Sequence, residues 1–252
     1  MIHVMIDAYN GDERRLDDIM SINTVLNEIV SSLHLNAVMP PFLVPYYYAK
    51  NSEDNGVSAF IILEGGHITV HTFPRRGCMF VDLVYDRRYD ENKLVEILKS
   101  YFACVDIQTL RTERRYPDNV LDCEHICKRG VSDVDFGPHT IAKIENVDIT
   151  FEEIFDFLDE IPEAIGMSPI CRPYVIKSHK SNPTYISGIV LIAQSHIAFH
   201  YNTAEKILYC DAFSCLFYKS GNFVNYLQSR YGEFMNTTLI RGTNHGKKIN
   251  RK

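Results

Sequence analysis

The chain has 252 residues, of which 46% are hydrophobic, and it carries a formal net charge of −6. This length suits one large domain or two domains of about 100–125 residues. The acidic balance gives no reason to expect nucleic acid or an anionic membrane as a partner. No run approaches the ~18 apolar residues of a membrane helix, and Asp7 interrupts the only early apolar run, so we expect neither a membrane span nor a signal peptide.

Apolar periodicity predicts the same order of elements in two halves of the chain. Each half begins with a strand. A helix over 16–33 and a short strand at 41–44 follow in the first half, and a helix over 151–165 and a strand at 173–176 follow in the second. Each half continues with a strand through a histidine motif, another strand, a helix and a last strand. The later helices are predicted at 94–102 and 223–231.

This order of elements indicates an α+β fold. The helices should cover one face of a mainly antiparallel sheet, and a second copy of the same unit is the obvious cover for the other face. We therefore expect two fused α/β-sandwich half-domains that form a pseudo-dimer within one chain. The turn-rich segment 113–146 should connect a half at 1–112 with a half at 147–243. The basic residues at the C-terminus, Arg241 and those of 244–252, are predicted to form a solvated tail.

The cysteine pattern indicates reduced thiols. Seven cysteines, an odd number at irregular spacings, are typical of a cytosolic protein, so we expect a cytoplasmic location. Cys123 and Cys127 form a loose pair, and no second ligand pair at finger-like spacing follows, so we expect no zinc there.

A motif that occurs twice is the most informative feature of the sequence, with an offset of 187 − 58 = 129 residues and no gap. The copies differ at the two positions where chemistry would occur: Gly66 stands where the second copy has Ser195, and Asp86 stands where it has Cys215. The second half therefore carries a nucleophile and a thiol that the first half lacks. Four further positions are identical in the two copies: Ser58 and Ser187, His67 and His196, His71 and His200, Asp82 and Asp211.

The motif histidines suggest a metal site, because His67 and His71 are four residues apart, as are His196 and His200. The intervening residues are typical of strands, however, and four residues along a strand span about 13 Å. One ion cannot bridge that distance within a pair, so we expect no metal. Histidines that are merely hydrogen-bonded in a core are the alternative interpretation.

Two chemistries are open to Ser195. An acyl-transfer serine needs a nearby base and an oxyanion site, which His196 does not provide because neighbours on a strand point to opposite faces. In the second chemistry, the hydroxyl attacks the carbonyl of Gln194, an N-to-O acyl shift gives an ester, and elimination cleaves the chain and leaves a pyruvoyl group. Such a group forms a Schiff base with a substrate amine and supplies the electron sink that pyridoxal phosphate supplies elsewhere.

The second chemistry is favoured by a resemblance to a known family. The run from Ser187-Gly188 through Ser195-His-Ile-Ala-Phe-His200, followed by Asp211-Ala-Phe-Ser-Cys215, resembles the bacterial-type S-adenosylmethionine decarboxylases. The first half contributes His71-Thr-Phe-Pro74 to the same likeness. The resemblance covers most of both halves and implies a four-layer α-β-β-α arrangement, with active sites between two copies of the unit.

The resemblance also implies residue roles. Ser195 would become the pyruvoyl group, the sole cofactor, without pyridoxal phosphate or metal, and Cys215 would donate the proton that replaces the lost carboxylate. The processing serine and histidine match Ser58 and His71 in one half, and Ser187 and His200 in the other. Because the family's sites lie between copies, we expect Ser58 and His71 to serve the cleavage at Ser195.

Several departures bear on the substrate. The acid that contacts the ribose in the family is replaced by Arg75 in one copy and by Ala204 in the other. The phenylalanine expected to stack on adenine is replaced by Ser52 and Ser181. Gln194 replaces the usual glutamate at the cleavage point, where the attacked group is a backbone carbonyl.

Three functions remain open at this stage. The first is a self-cleaving S-adenosylmethionine decarboxylase of polyamine and spermidine biosynthesis. The second is the same chemistry on another small-molecule amine, such as arginine or ornithine. The third is an uncleaved, non-catalytic paralogue that binds or activates another protein. Oligomerisation beyond the pseudo-dimer is also open.

Overall fold

The computed structural model describes residues 1–114, 120–121, 137–178, 184–193, 195–216 and 219–242. The predictions for Cys123, Cys127, Ser181, Gln194 and the tail at 244–252 lie outside these residues. The described chain forms thirteen strands and five α-helices. The strands are β1 (Ile2–Tyr9), β2 (Phe42–Tyr46), β3 (Gly56–Leu63), β4 (Gly66–Phe73), β5 (Cys78–Tyr85), β6 (Asp106–Glu113), β7 (Val120–Leu121), β8 (Pro138–Ile144), β9 (Tyr174–Lys177), β10 (Tyr185–Ile192), β11 (Ser195–Asn202), β12 (Ile207–Phe213) and β13 (Met235–Ile240). The helices are α1 (Glu13–Leu16), α2 (Ile19–Ser32), α3 (Glu91–Phe102), α4 (Phe151–Ala164) and α5 (Ser220–Tyr231).

The strands form two antiparallel sheets with the same internal order. The first sheet runs β2-β3-β4-β5-β1-β6-β7, and the second runs β9-β10-β11-β12-β8-β13 when read in the matching direction. Apart from β7, each strand of the first sheet thus has an equivalent in the second. The histidine strands β4 and β11 occupy equivalent inner positions.

Alternation along the strands separates two kinds of core. On β3, Ala59 and Ile61 join the cluster that packs against α2 and α3, while Phe60 and Ile62 point the other way. The latter two pack against Ile189, which belongs to the second sheet. Helices therefore lie on the outer faces, and the inner faces of the sheets pack on each other. This confirms the predicted four-layer α-β-β-α arrangement and the α+β class.

Two helices show how local sequence determines element ends. The predicted helix over 16–33 corresponds to α2 but begins later, at Ile19, because the Asp18 side chain accepts a hydrogen bond from the Met20 amide and caps the helix. Helix α4 agrees with its prediction. It begins with a capping box in which Thr150 and Glu153 bond each other's backbone amides.

The structure adds a strand to each half that the sequence analysis did not resolve. The motif predicted as one strand is a hairpin, in which β3 and β4 are joined by Glu64 and Gly65. Gly65 has a φ of +75°, a conformation that glycine adopts without strain. In addition, β8 lies inside the segment predicted as the connector, and it pairs with β12 and β13. The second sheet therefore includes residues before 147.

Candidate active site between the two halves

Ser195 is the first residue of β11 and lies beside Cys215. Its Oγ accepts a hydrogen bond from the Cys215 amide at 2.8 Å and donates one to the Ala193 carbonyl oxygen at 3.3 Å. The Cys215 thiol also contacts that carbonyl oxygen, at 3.5 Å. Burial raises the pKa of the Cys215 thiol to about 12, so the sulfur is protonated at neutral pH. The structure thus brings the predicted nucleophile and the predicted proton donor together.

Residues of the first half pack over the end of the molecule at which Ser195 and Cys215 lie. Cys215 packs against an apolar cluster in which Phe213 of the second half meets Phe73 and Phe80 of the first half. Two 3-10 turns of the first half, Ser52–Asp54 and Pro74–Arg76, are joined by an ion pair of 2.5 Å between their last residues. The charges of this ion pair also influence the Cys215 thiol. The site at Ser195 therefore lies between the halves.

The two turns contain the positions at which the sequence departs from the resembled family. Ser52 and Arg75 are both exposed, and Arg75 carries a guanidinium group at the surface beside the site. In the second half, Ser181 lies outside the described residues and Ala204 lies in the turn after β11.

A buried hydrogen-bond chain links Ser58 to the residue that follows Ser195. Ser58 Oγ lies 3.0 Å from His71 Nδ1, and His71 Nε2 lies 2.9 Å from His196 Nδ1. His196 Nε2 then lies 3.2 Å from Asp211 Oδ2. All four side chains are fully buried between the sheets. The chain begins in the first half and ends in the second.

An equivalent chain runs in the opposite direction. Ser187 Oγ lies 2.9 Å from His200 Nδ1, and His200 Nε2 lies 2.7 Å from His67 Nδ1. His67 follows Gly66 as His196 follows Ser195. Each serine–histidine pair therefore contacts the motif histidine of the other half: the pair from the first half on the Ser195 side, and the pair from the second half on the Gly66 side.

Burial determines the charge of these histidines. It lowers the pKa of His71 well below its usual value, and it lowers the pKa of His200 to about 3. Both imidazoles are therefore neutral at physiological pH, and each can accept a hydrogen bond through one nitrogen while it donates through the other. A neutral chain of this kind can hold or move a proton without a buried positive charge.

Two buried arginines cross between the halves. Arg114 follows β6 and donates to Asp211 Oδ1 at 2.6 Å and to the Cys210 carbonyl oxygen. Arg241 follows β13 and donates to Asp7 and Asp82 at 2.8 and 2.6 Å. Burial alone would raise the pKa of each motif aspartate, but these guanidinium groups help to hold both well below the usual range.

The sequence analysis missed or misplaced several of these residues. Arg241 is fully buried, so its assignment to a solvated tail is wrong. Arg114 was not considered, although it follows the last strand of its half just as Arg241 does. His3 and His139 were also missed, and both are fully buried near the motif aspartates. His3 and His139 occupy equivalent positions near the start of β1 and of β8, and this equivalence could have identified them.

The equivalent site of the first half has no room for a nucleophile. A Cβ atom at Gly66 would lie 1.9 Å from the backbone carbonyl oxygen of Val84, so residue 66 has to be glycine in this backbone. Tyr185 of the second half covers the neighbouring Gly65, as the first half covers Ser195. The repeat therefore keeps its paired architecture at both ends, while only one end holds a serine and a cysteine.

The fold and this site define a two-sheet α+β protein with a serine–cysteine pair held between equivalent halves. The family model described as S-adenosylmethionine decarboxylase matches residues 2–115 and 141–237. The chain belongs to the S-adenosylmethionine decarboxylase family. Of the helices within the described ranges, none combines the length and the apolar character that a bilayer crossing requires.

Individual relatives are distant. The S-adenosylmethionine decarboxylase proenzyme of Sulfurihydrogenibium sp. (strain YO3AOP1) is 24% identical over 82 residues, which are 32% of this chain and 56% of that protein. The chain thus matches about half the length of this curated relative. The crystal structure of the adenosylmethionine decarboxylase from Aquifex aeolicus VF5 is similar with a TM-score of 0.38 and 18% identity, over 44% of this chain and 88% of that one. An unknown protein from Galdieria sulphuraria gives a TM-score of 0.22 and 9% identity, over 96% and 98%.

Proposed function

We propose that this chain is a pyruvoyl-dependent decarboxylase of amine metabolism, made of two fused copies of the family's unit, that cleaves itself between Gln194 and Ser195. The main support for the proposal is that Ser195 and Cys215 lie next to each other, at an end of the molecule that residues of the first half cover. The residues fit the group that the family implies: the serine hydroxyl lies at the start of its strand, and a protonated thiol lies beside it.

The proposed cleavage balances without a further reactant except water. Ser195 Oγ attacks the carbonyl carbon of residue 194, and the amide C–N bond breaks to leave an ester and a free amine. Loss of the Cα proton of residue 195 then breaks the Cβ–O bond and frees the carboxylate of residue 194. The dehydroalanine that remains takes up water and loses ammonia, which gives the pyruvoyl group. This group supplies the electron sink for decarboxylation.

The chain's own residues have separate tasks in this proposal. The Cys215 amide orients the hydroxyl of Ser195, to which it donates a 2.8 Å hydrogen bond. The Cys215 thiol is the proton donor to the carbon that loses the carboxylate, because burial keeps it protonated. Ser58 and His71 are positioning residues, since they act on the start of β11 through His196.

The substrate is proposed to be an amino acid or a derivative with a free amine. An arginine at position 75 only donates hydrogen bonds, and its charge opposes the sulfonium of S-adenosylmethionine. Ser52 lacks a ring for stacking on adenine, a contact of about 0.5–1.5 kcal/mol beyond burial. We therefore expect S-adenosylmethionine to be a poor substrate. Carbon dioxide release from cleaved protein, with S-adenosylmethionine, arginine, ornithine, lysine and aspartate, tests this; clear preference for S-adenosylmethionine would contradict it and would support spermidine biosynthesis.

Self-cleavage is tested by intact-mass measurement. A fragment of 252 − 194 = 58 residues should appear without added protease, and reductive amination should label its first residue. Ser195→Ala should abolish the fragment. A single full-length species after prolonged incubation of the unsubstituted protein would contradict the proposal and leave the third function, an uncleaved protein that binds or activates another.

The division of labour between the halves has a matched pair of variants. His71→Ala and His200→Ala remove equivalent histidines from equivalent buried chains, so their effects on folding should be similar. Cleavage should slow more in His71→Ala, because only that chain reaches the residue after Ser195. A block in His200→Ala with normal cleavage in His71→Ala would show that the site is built within the second half alone.

A further inference from the structure

Two histidines and an aspartate from both halves meet at one point between the sheets. One ring nitrogen of His67, one of His196 and a carboxylate oxygen of Asp211 all lie within 4.8 Å of one another. His67 Nε2 is 3.9 Å from Asp211 Oδ2, and His196 Nε2 is 3.2 Å from it. His139 Nε2 approaches the same oxygen, at 3.8 Å. Every one of these side chains is fully buried.

Two of these nitrogen atoms lack hydrogen-bond partners. Among the residues that the structure describes, Nε2 of His67 and Nε2 of His139 are buried without one. Both face the same carboxylate oxygen from distances beyond hydrogen-bond range. Buried polar atoms in native proteins are normally satisfied, and an unexplained one indicates a missing water, ion or functional role. Here both unsatisfied nitrogen atoms face one carboxylate oxygen, and a cation bound between the nitrogen atoms and the oxygen would interact favourably with all of them.

The outer nitrogen atoms of the two motif histidines are already engaged. His67 Nδ1 contacts His200 Nε2, and His196 Nδ1 contacts His71 Nε2. Protons on these Nδ1 atoms would leave both Nε2 lone pairs directed at Asp211, and an ion there would replace the 3.2 Å hydrogen bond between His196 Nε2 and Asp211 Oδ2. Metal-binding histidines characteristically donate their second N–H to a partner in this way. Each chain then ends on a serine hydroxyl, which can accept the last hydrogen bond from a histidine Nδ1.

From this geometry we propose that His67 Nε2, His196 Nε2 and Asp211 Oδ2 bind one divalent transition-metal ion of the zinc type. Imidazole and carboxylate ligands in a tetrahedral arrangement suit Zn²⁺, with metal–ligand distances of about 2.0–2.2 Å. Such distances place neighbouring ligand atoms about 3.3 Å apart. His196 Nε2 and His67 Nε2 lie 3.2 and 3.9 Å from Asp211 Oδ2, close to this value, and ligand atoms of all three residues lie within 4.8 Å of one another.

The surrounding charges are compatible with this ion. Arg114 binds the other oxygen of Asp211, Oδ1, at 2.6 Å, and so leaves Oδ2 for the metal. The prediction of no metal considered only pairs within one strand, His67 with His71 and His196 with His200, where the separation excludes a shared ion. Packing of the two sheets instead joins His67 with His196. The ion would thus bind a ligand from each half, independently of whether the chain is cleaved.

The test uses full-length Ser195→Ala protein, in which metal binding is separated from self-cleavage. The protein is unfolded with a chelator, refolded with Zn²⁺, with Mg²⁺ or without metal, desalted, and analysed by mass spectrometry for metal content. We expect one equivalent of Zn²⁺ per chain, no retained Mg²⁺ and a higher melting temperature with Zn²⁺. Refolding with Co²⁺ should give the visible absorption of a tetrahedral site, a readout that needs no further variant.

Single substitutions test which buried residues bind the ion. His67→Gln should lose the bound metal, whereas His3→Gln is the matched control, a buried histidine whose Nε2 faces Asp82. His200→Ala, which removes the partner of His67 Nδ1, should weaken affinity about 10–100-fold. Folded wild-type protein without metal and without a Co²⁺ spectrum would overturn the proposal. Loss of metal in His3→Gln but not in His67→Gln would overturn the assignment of ligands.

Discussion

Replacement of Arg241 should strongly destabilise the protein, because this one side chain joins the last strand to the first half. Its guanidinium donates to Asp7 and Asp82 and to the carbonyl oxygens of Ile6 and Val81, and it is 1% exposed. Arg241→Met keeps much of the apolar stem and removes the charge. Two carboxylates are then left in the core without their cation.

The expected loss follows from burial. Removing one partner of a buried ion pair costs about 3–5 kcal/mol, because the other charge remains uncompensated. Folded proteins have a total stability of about 5–15 kcal/mol, so the loss is a large part of it. Arg172→Met is the matched control. Arg172 pairs with Asp159 at 2.7 Å, but its side chain is 81% exposed, and such a pair contributes about 0.2–1 kcal/mol.

Urea unfolding in the Ser195→Ala background measures both variants on an unbroken chain. With a denaturant slope of about 2–3 kcal/mol per molar, the midpoint of Arg241→Met should fall by about 1–2.5 M, and that of Arg172→Met by much less. Adding Asp82→Asn to Arg241→Met should restore part of the stability, since it removes one unpaired charge. Equal midpoints for the two arginine variants would refute the reasoning.

Three further outcomes are expected. Gly66→Ser should lower expression yield and create no second cleavage site, because its Cβ would lie 1.9 Å from a backbone carbonyl oxygen of β5; a new fragment by intact mass would contradict this. Burial raises the pKa of native Cys215 to about 12, so this thiol should be alkylated at pH 8 far more slowly than in the unfolded chain. The alkylation rate should rise about tenfold per pH unit, and peptide mass mapping measures it. Gly188→Ala should lower the free energy of unfolding in urea by about 1–3 kcal/mol, because its Cβ would lie 2.5 Å from Leu158 Cδ1. Gly221→Ala is the control and should lower it by nothing, because no atom lies within 4 Å of its Cβ.

Local patterns in the sequence were sufficient for the main elements of the fold. Strand alternation correctly placed His67 and His71 on one face of one strand, and the repeat correctly indicated that a second unit would cover that face. The missed hairpin also had a local signal, since Gly65 and Gly66 stand between two apolar runs. In the second half the equivalent positions, 193 and 194, are alanine and glutamine in the sequence and carry no such signal.

Long-range pairs explain what the sequence did not reveal. Arg114 and Asp211 are 97 positions apart, and Arg241 and Asp82 are 159 apart. Periodicity reports which face of a strand is buried, but it does not report which charge from the other half reaches that face. A basic residue near a chain end is usually solvated, and Arg241 departs from that rule only because two aspartates meet it in the core. The ligand set around Asp211 depends on the same packing.

The strand order of the second sheet has a consequence for the cleaved protein. Cleavage after residue 194 would place β11, β12, α5 and β13 on a short polypeptide, while β8, β9 and β10 stay on the long one. Because β8 lies between β12 and β13, and β10 lies beside β11, the two polypeptides would be interleaved within one sheet. The mature protein would then be an interlocked heterodimer that separates only on unfolding, and its reassembly from denaturant would follow second-order kinetics.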